Sequence, residues 1–196
     1  MAHNIPKIQY KNLTTTGNIS TGLATVTNIP STTALVVGMV AKGTGVFVGA
    51  KILTIDGPTQ VTLDHNSTAT TVGLSIEFYV EIVFTYPPIE PKGEKIDPKE
   101  RVSTSISGLR QVSIDFLEAT RTLTFSFLTE AQKLLIETFF TSHAGYGNTF
   151  RYFDDQNSAS YLTYELSPIK FDPAKITSKG ANVYVWLVPF TFRRVI

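Results

Sequence analysis

Apolar residues recur along this chain with two periods, and the switches between them fall in one stretch. Over residues 105–153, SISGLRQVSIDFLEATRTLTFSFLTEAQKLLIETFFTSHAGYGNTFRYF, alternation gives way to helical spacing and then returns. QVSIDF places Val112, Ile114 and Phe116 on one face of a strand. TLTFSF does the same for Leu123, Phe125 and Phe127 in a second strand, joined to the first through LEATR. The helical stretch spans 130–143. Thr129 suits its N-cap, Gln132 stands at capping-box spacing, and Glu130 complements the positive end of the helix dipole. Ala131, Leu134, Leu135, Thr138 and Phe139 define the face to be buried, widened by Ile136 and Phe140. Gly145 and Gly147 supply the stop, since glycine adopts the left-handed conformation a helix end needs. TFRYF then resumes the strand pattern. The stretch predicts a β-ribbon leading into a helix across a sheet, which the chain re-enters.

The rest of the chain alternates or turns. IPKIQYKN, residues 5–12, reads as a short strand with Ile8 and Tyr10 on one face. From Leu13 to Phe78 only Lys42, Lys51, Asp56, Asp64 and Glu77 are charged. Turn signals (TTTGN, NIPST, KGTG, DGPTQ, DHNST) separate the short apolar runs LATVTNI, ALVVGMV, VFVGAKILTI, QVTL and VGLSIEF. That spacing predicts a small all-β barrel or sandwich, with a hairpin turn at Asp56-Gly57-Pro58-Thr59. YVEIVFTY places Val80, Ile82, Phe84 and Tyr86 on one face of a strand that Pro87-Pro88 ends. Residues 89–104, IEPKGEKIDPKERVST, mix acids and bases with prolines and a glycine, as a solvated loop or extended arm does. SYLTYELSPIKF and NVYVWLVPFTFRRV complete the sheet, with turns at Asp154–Asn157 and Ser178–Gly180. Pro168 and Pro189 mark edges or bulges. The predicted organisation is a discontinuous core of residues 1–12 and 79–196, with a β-module of 13–78 inserted after its first strand.

Composition agrees with a mainly β chain of one ordinary domain plus a small companion. The chain has 196 residues, is 42% hydrophobic and only 17% charged, as expected of a protein that buries surface against partners. A net charge of +1 offers no basic surface for sequence-specific nucleic-acid binding. The absence of cysteine rules out disulfides, thiol catalysis and zinc–thiolate sites within these residues. MAHNIPKIQY lacks a signal-peptide core, and no run approaches the ~20 apolar residues of a membrane helix. Synthesis in the cytoplasm without a membrane segment is the expectation.

Candidate chemistry is sparse. The run at Lys42–Gly49 has G-x-G-x-x-x-G spacing with no helical pattern after it, so a β-turn explains it better than a phosphate loop. His3, His65 and His143 lack metal-ligand spacing. Asp154 and Asp155 lie in DDQNS, which is turn chemistry before it is an acid–base pair. Ser107-Gly108 and His143 make no nucleophile elbow. Phe150, Tyr152, Phe153, Tyr161, Tyr164, Tyr184, Trp186, Phe190 and Phe192 crowd the C-terminal third. Their alternation assigns most to the core, with an exposed aromatic face as the other reading. No catalytic, metal or cofactor residue is expected, and the chain does not read as an enzyme.

Three motifs together resemble the distal-tail class of minor tail proteins at the tail tip of long-tailed bacteriophages. They are F-x-Y-P-P at Phe84–Pro88 with S-G-x-R-Q at Ser107–Gln111; L-T-E-A-x-K-x-x-x-E-x-F-F at Leu128–Phe140 followed by G-x-G-x-x-F-R-Y-F-D-D; and the terminal T-F-R-R-V-I. Gly22–Phe78 is similar to small β-modules of phage structural proteins. The resemblance implies a tail-tube-like β-sandwich or half-barrel core with one flanking helix. It further implies a ring, commonly a hexamer, at the distal end of the tail or baseplate, through which DNA passes. Its partners would be other copies of itself, the tail tube protein, the tip or central-fibre hub and the tape-measure protein. The module would project outward, and a host-surface glycan is its expected ligand if it binds one. The alternatives are a carbohydrate- or host-surface-binding tail module and a tube or terminator protein. The length and balanced charges of residues 89–104 make Glu90, Lys92, Glu94, Lys95, Asp97, Lys99, Glu100 and Arg101 candidates for an arm that reaches the next subunit.

Overall fold

The computed structural model describes residues 4–89, 95–104, 110–143, 148–166, 173–177 and 184–194. Among these the fold is mainly β, with one helix. The strands are β1 (Lys7–Ile19), β2 (Thr25–Val26), β3 (Val40–Lys42), β4 (Ile52–Gly57), β5 (Gln60–Leu63), β6 (Thr71–Val83), β7 (Lys95–Thr104) and β8 (Arg110–Leu128). Helix α1 (Glu130–His143) follows, then β9 (Thr149–Phe153), β10 (Leu162–Leu166), β11 (Ala174–Thr177) and β12 (Tyr184–Arg194). The chain forms two compact units, one of Met1–Lys7 with Val83–Ile196 and one of Ile8–Ile82.

In the unit of Ile8–Ile82, β3 pairs with β6 and β6 with β1, while β2, β5 and β4 make a separate three-stranded sheet. β1 is continuous from Lys7 to Ile19, so the change of composition at Leu13 does not end the first strand. The apolar runs form less strand than their composition predicts. In ALVVGMV only the final valine enters β3, and Val36 and Val37 are exposed. VFVGA is a run of turns with Val48 92% exposed. The turns bury alternate residues without a ladder: Leu35, Met39, Val46 and Ala50 join Ile19, Val26, Ile52, Val61, Leu63, Ile76 and Phe78 in one core. Asp56–Thr59 does close the β4–β5 hairpin, with Gly57 paired to Gln60.

In the other unit the antiparallel order is β9-β10-β12-β8-β7, and β11 pairs with one end of β12. Aromatic side chains fill its core. Phe150 meets Phe139 of α1 at 5.2 Å and Phe192 of β12 at 5.4 Å, and Tyr164 meets Phe192 at 4.9 Å. Phe84 stacks on Phe125 at 3.8 Å. Each such ring removes enough apolar surface from water to contribute about 2–3 kcal/mol. Most of the C-terminal aromatics are therefore core: Phe150, Tyr152, Phe153, Tyr164 and Phe192 are buried, while Tyr161 is exposed. Pro189 lies opposite Thr124, in the gap between the stretches of β12 that pair with β11 and β10. Pro168, Ser178–Gly180, Gly145, Gly147 and the Ser107-Gly108 pair lie outside the described residues.

Helix α1 starts as its sequence dictates. The Thr129 amide donates to Gln132 Oε1 at 3.1 Å, and the Gln132 amide donates to Thr129 Oγ1 at 3.3 Å, which completes the capping box. Gln132 also donates to Thr85 Oγ1, tying the first turn to the segment after β6. The buried face is only one side of the predicted one, the side on which Ile136 and Phe140 widen it. Ile136, Phe139 and Phe140 point into the core, whereas Leu134 and Leu135 are 57% and 52% exposed and Ala131 and Thr138 are exposed with them. Burial of two adjacent phenylalanines outweighs that of two leucines, and it turns the helix about its axis accordingly.

Candidate functional site

Strand β8 is one continuous element of 19 residues, not two strands joined through LEATR. Its second half, from Thr120 to Leu128, pairs with β12. Its first half pairs with β7, from Thr120 opposite Lys95 to Arg110 opposite Thr104. Among the described residues no third strand pairs with Arg110–Ala119. β7 and the first half of β8 thus leave the sheet as a two-stranded ribbon, which at the usual rise per residue is on the order of 30 Å long. The segment expected as a loop or arm is a strand from Lys95 onward.

The arm residues predicted for subunit contact map onto this ribbon in part. Lys95 is exposed at its base. Asp97, Lys99, Glu100 and Arg101 lie along β7 opposite Glu118, Phe116, Ile114 and Ser113, with a register shift between Lys99 and Glu100. Glu90, Lys92 and Glu94 lie outside the described residues. Asp97 and Glu118 hold facing register positions. Ile96, beside them, is 62% exposed. An isolated two-stranded ribbon is marginal in water, and this one is anchored at its base, where β8 continues into its pairing with β12.

A second exposed apolar region lies around the start of α1. Ser126 and Phe127 of β8 together oppose Leu187 of β12, a bulge that shifts the register between Trp186 and Val188. The bulge reverses the alternation. Leu123 and Phe125 are buried as predicted, but Phe127 is 59% exposed while Ser126 and Leu128 are buried. Phe127 has φ 59°, a left-handed conformation costly for a bulky side chain. Its ring meets that of Tyr86, itself 50% exposed. The outer helix face of Ala131, Leu134, Leu135 and Thr138 carries no charge. The helix charges lie to one side, where Lys133 bridges to Glu137 at 2.8 Å and approaches Glu130 at 3.8 Å. Glu137, by bonding to the ammonium, holds the Lys133 proton more tightly than usual. Trp186 completes this edge: its indole N–H donates to Glu130 at 2.6 Å and Lys133 lies 5.1 Å over its ring.

The residues considered for catalysis have structural employment. Asp154 pairs with Arg121 at 2.6 Å, and Arg121 lies 4.9 Å over the Tyr152 ring. Burial opposes the Arg121 charge, and hydrogen bonds to Asp154 and Tyr164 more than offset it, so its proton is held more tightly. Burial pushes the Tyr152 hydroxyl well up. Asp155 accepts from the Asn157 amide at 3.0 Å, a turn contact, so the two acids serve different neighbours. In the other unit His65 shares a 2.8 Å contact with Asp64 and stacks on Phe47 with ring centroids 4.5 Å apart. His3 and the His143 side chain lie outside the description. The glycine run at Lys42–Gly49 is a set of turns: Gly45 has φ 82°, and its carbonyl accepts from the Thr68 amide at 2.7 Å.

The sequence carries no sign of the bulge and does not say which apolar side of the helix lies outward. Nothing in the alternation of TLTFSFL marks Phe127 as the residue turned outward. The helix pattern did contain the signal, since apolar residues at 131, 134–136, 139 and 140 exceed one face. No family model, curated protein or solved structure matches this chain.

Proposed function

We propose that this chain is a ring-forming structural subunit of a phage tail tip, joining the tail tube to the tip or central-fibre hub around a bore for DNA. The observation that carries the reading is the ribbon: a continuous β8 extends beyond its sheet with only β7 as partner among the described residues, and a second surface would steady such a ribbon. A ring supplies that surface, because each subunit offers one patch to the neighbour ahead and a different one to the neighbour behind. The motifs that resemble those of distal-tail proteins fall within Val83–Ile196, the same unit as the ribbon.

The test is the assembly state of the purified full chain, by light scattering over a wide concentration range with negative-stain images of each species. Closed rings with a central hole support the reading. Open filaments replace it with a tube protein, and a chain monomeric throughout counts against it.

A second reading concerns the unit of Ile8–Ile82, which presents Val48 fully to solvent beside a Phe47 ring stacked flat on His65. A flat exposed ring pair suits the apolar face of a sugar, so host-surface glycan contact would belong here. Glycan-array binding by the full chain that is lost in Phe47→Ala supports it; equal binding by both removes it.

A further inference from the structure

We infer that the end of β8 is a two-register switch. Phe127 is presented at the surface while Ser126-Phe127 is bulged, and it is withdrawn into the core when the segment after Phe125 slides one residue along β12. The device lies within one chain and is independent of the ring reading.

Two registers are written into the same few residues. Up to Phe125 the pairing with β12 is regular, with Leu123 opposite Phe190 and Phe125 opposite Val188. Continued without a bulge, it would set Ser126 against Leu187 and Phe127 against Trp186. The alternation of TLTFSF favours that arrangement, because Phe127 would then follow Leu123 and Phe125 inward. The structure holds the other register. Leu128 stands opposite Trp186, Ser126 is buried, and Phe127 is turned out at φ 59°.

The register that is held carries local costs. A buried place goes to serine, a phenylalanine stands in water, and a bulky residue has a left-handed backbone. One step along β12, a shift of about 3.4 Å, relieves all of these. In return Leu128 would face outward. The contacts at the start of α1 would also be lost, namely the 2.6 Å bond from the Trp186 indole to Glu130 and the bond from Gln132 to Thr85. A phenylalanine taken in for a leucine turned out is a near-balanced exchange, and two packings so close in free energy are populated together. The bulge therefore sets both whether Phe127 is displayed beside Tyr86 and where α1 begins.

Trp186 is the one tryptophan of the chain and lies at the point of slip, so it reports the register. The full chain is labelled with 5-fluorotryptophan and followed by fluorine NMR with relaxation dispersion. Two resonances, or one with an exchange contribution, are expected from the parent. Phe127→Gly removes the backbone strain and the aromatic's drive inward together, so the slipped population should fall about tenfold or more. Ser126→Lys should raise that population, because an ammonium group resists burial and position 126 faces outward only after the slip. A parent with a single resonance and no exchange contribution overturns the switch. Exchange that Phe127→Gly leaves undiminished also overturns it, as does exchange unchanged in a Ser126→Lys protein that is folded by circular dichroism. Should Ser126→Lys fail to fold, the comparison of Phe127→Gly with the parent decides.

Discussion

The ring of Tyr86 meets the ring of Phe127 edge-on, with centroids 6.3 Å apart and planes at 72°. Neither residue was expected at the surface, as both continue an alternation whose earlier members, Phe84 and Phe125, stack in the core. The pair exists because the bulge at Ser126-Phe127 turns Phe127 outward at φ 59°. Phe127→Ala and Phe127→Gly lose the edge contact equally, but only glycine adopts that φ without strain. The glycine variant should therefore be more stable than the alanine variant by about 1 kcal/mol in urea titrations. Equal midpoints would show that the backbone there is unstrained.

The reciprocal bonds between Thr129 and Gln132 are the start of the only helix among the described residues. Thr129→Ala should cost about 1 kcal/mol, with Thr129→Ser retaining most of it, measured by chemical denaturation. If the alanine variant matches the parent, the cap contributes nothing.

Gly45 allows two things at once. Its φ is 82°, and an added Cβ would lie 2.7 Å from the Cβ of Ala69. Gly45→Ala should destabilise the unit of Ile8–Ile82 by 1 kcal/mol or more, roughly the left-handed penalty plus the cost of moving Ala69. Gly57→Ala, with open space around it, is the control.

Hydrogen bonds from Thr62 and then Thr54 hold the Asp56 carboxyl below the ordinary aspartate range. Asp64 is also lowered: burial works against it, and bonds from His65 and the Lys51 amide prevail. A carboxyl depressed in the folded state adds stability above its unfolded value and loses it as pH falls through its folded value. Stability of this unit should hold from neutral pH to about 4 and decline below it. Asp56→Asn should flatten part of that decline, as read by thermal unfolding at several pH values. An unchanged slope would mean the two threonines do not favour the charged form.

What could be read in advance was whatever depends on near neighbours in the chain. The α1 cap and the β4–β5 turn are set within a few residues and were legible, whereas the strand in 89–104, read as a loop or arm, depends on its pairing with β8. The face α1 buries depends on which sheet residues receive it: Phe139 meets Phe150, and Phe150 is in turn backed by Phe192 from far along the chain. The bulge at Phe127 depends on how β12 registers with β8, a pairing across some sixty residues that no local alternation encodes. The short strands of Ile8–Ile82 were over-read for a related reason: turns bury apolar residues as well as strands do.

β8 also has a mechanical consequence. A pull on the ribbon runs along the strand axis, and the β8–β12 ladder lies across it from Thr120 to Leu128. The interstrand bonds stand perpendicular to such a pull, so they share the load in shear instead of opening one after another. The same strand carries the remaining tension into the cap of α1. A chain built this way is stiff along that line, and its hydrogen-bonded backbone, more than any side-chain contact, resists being drawn out.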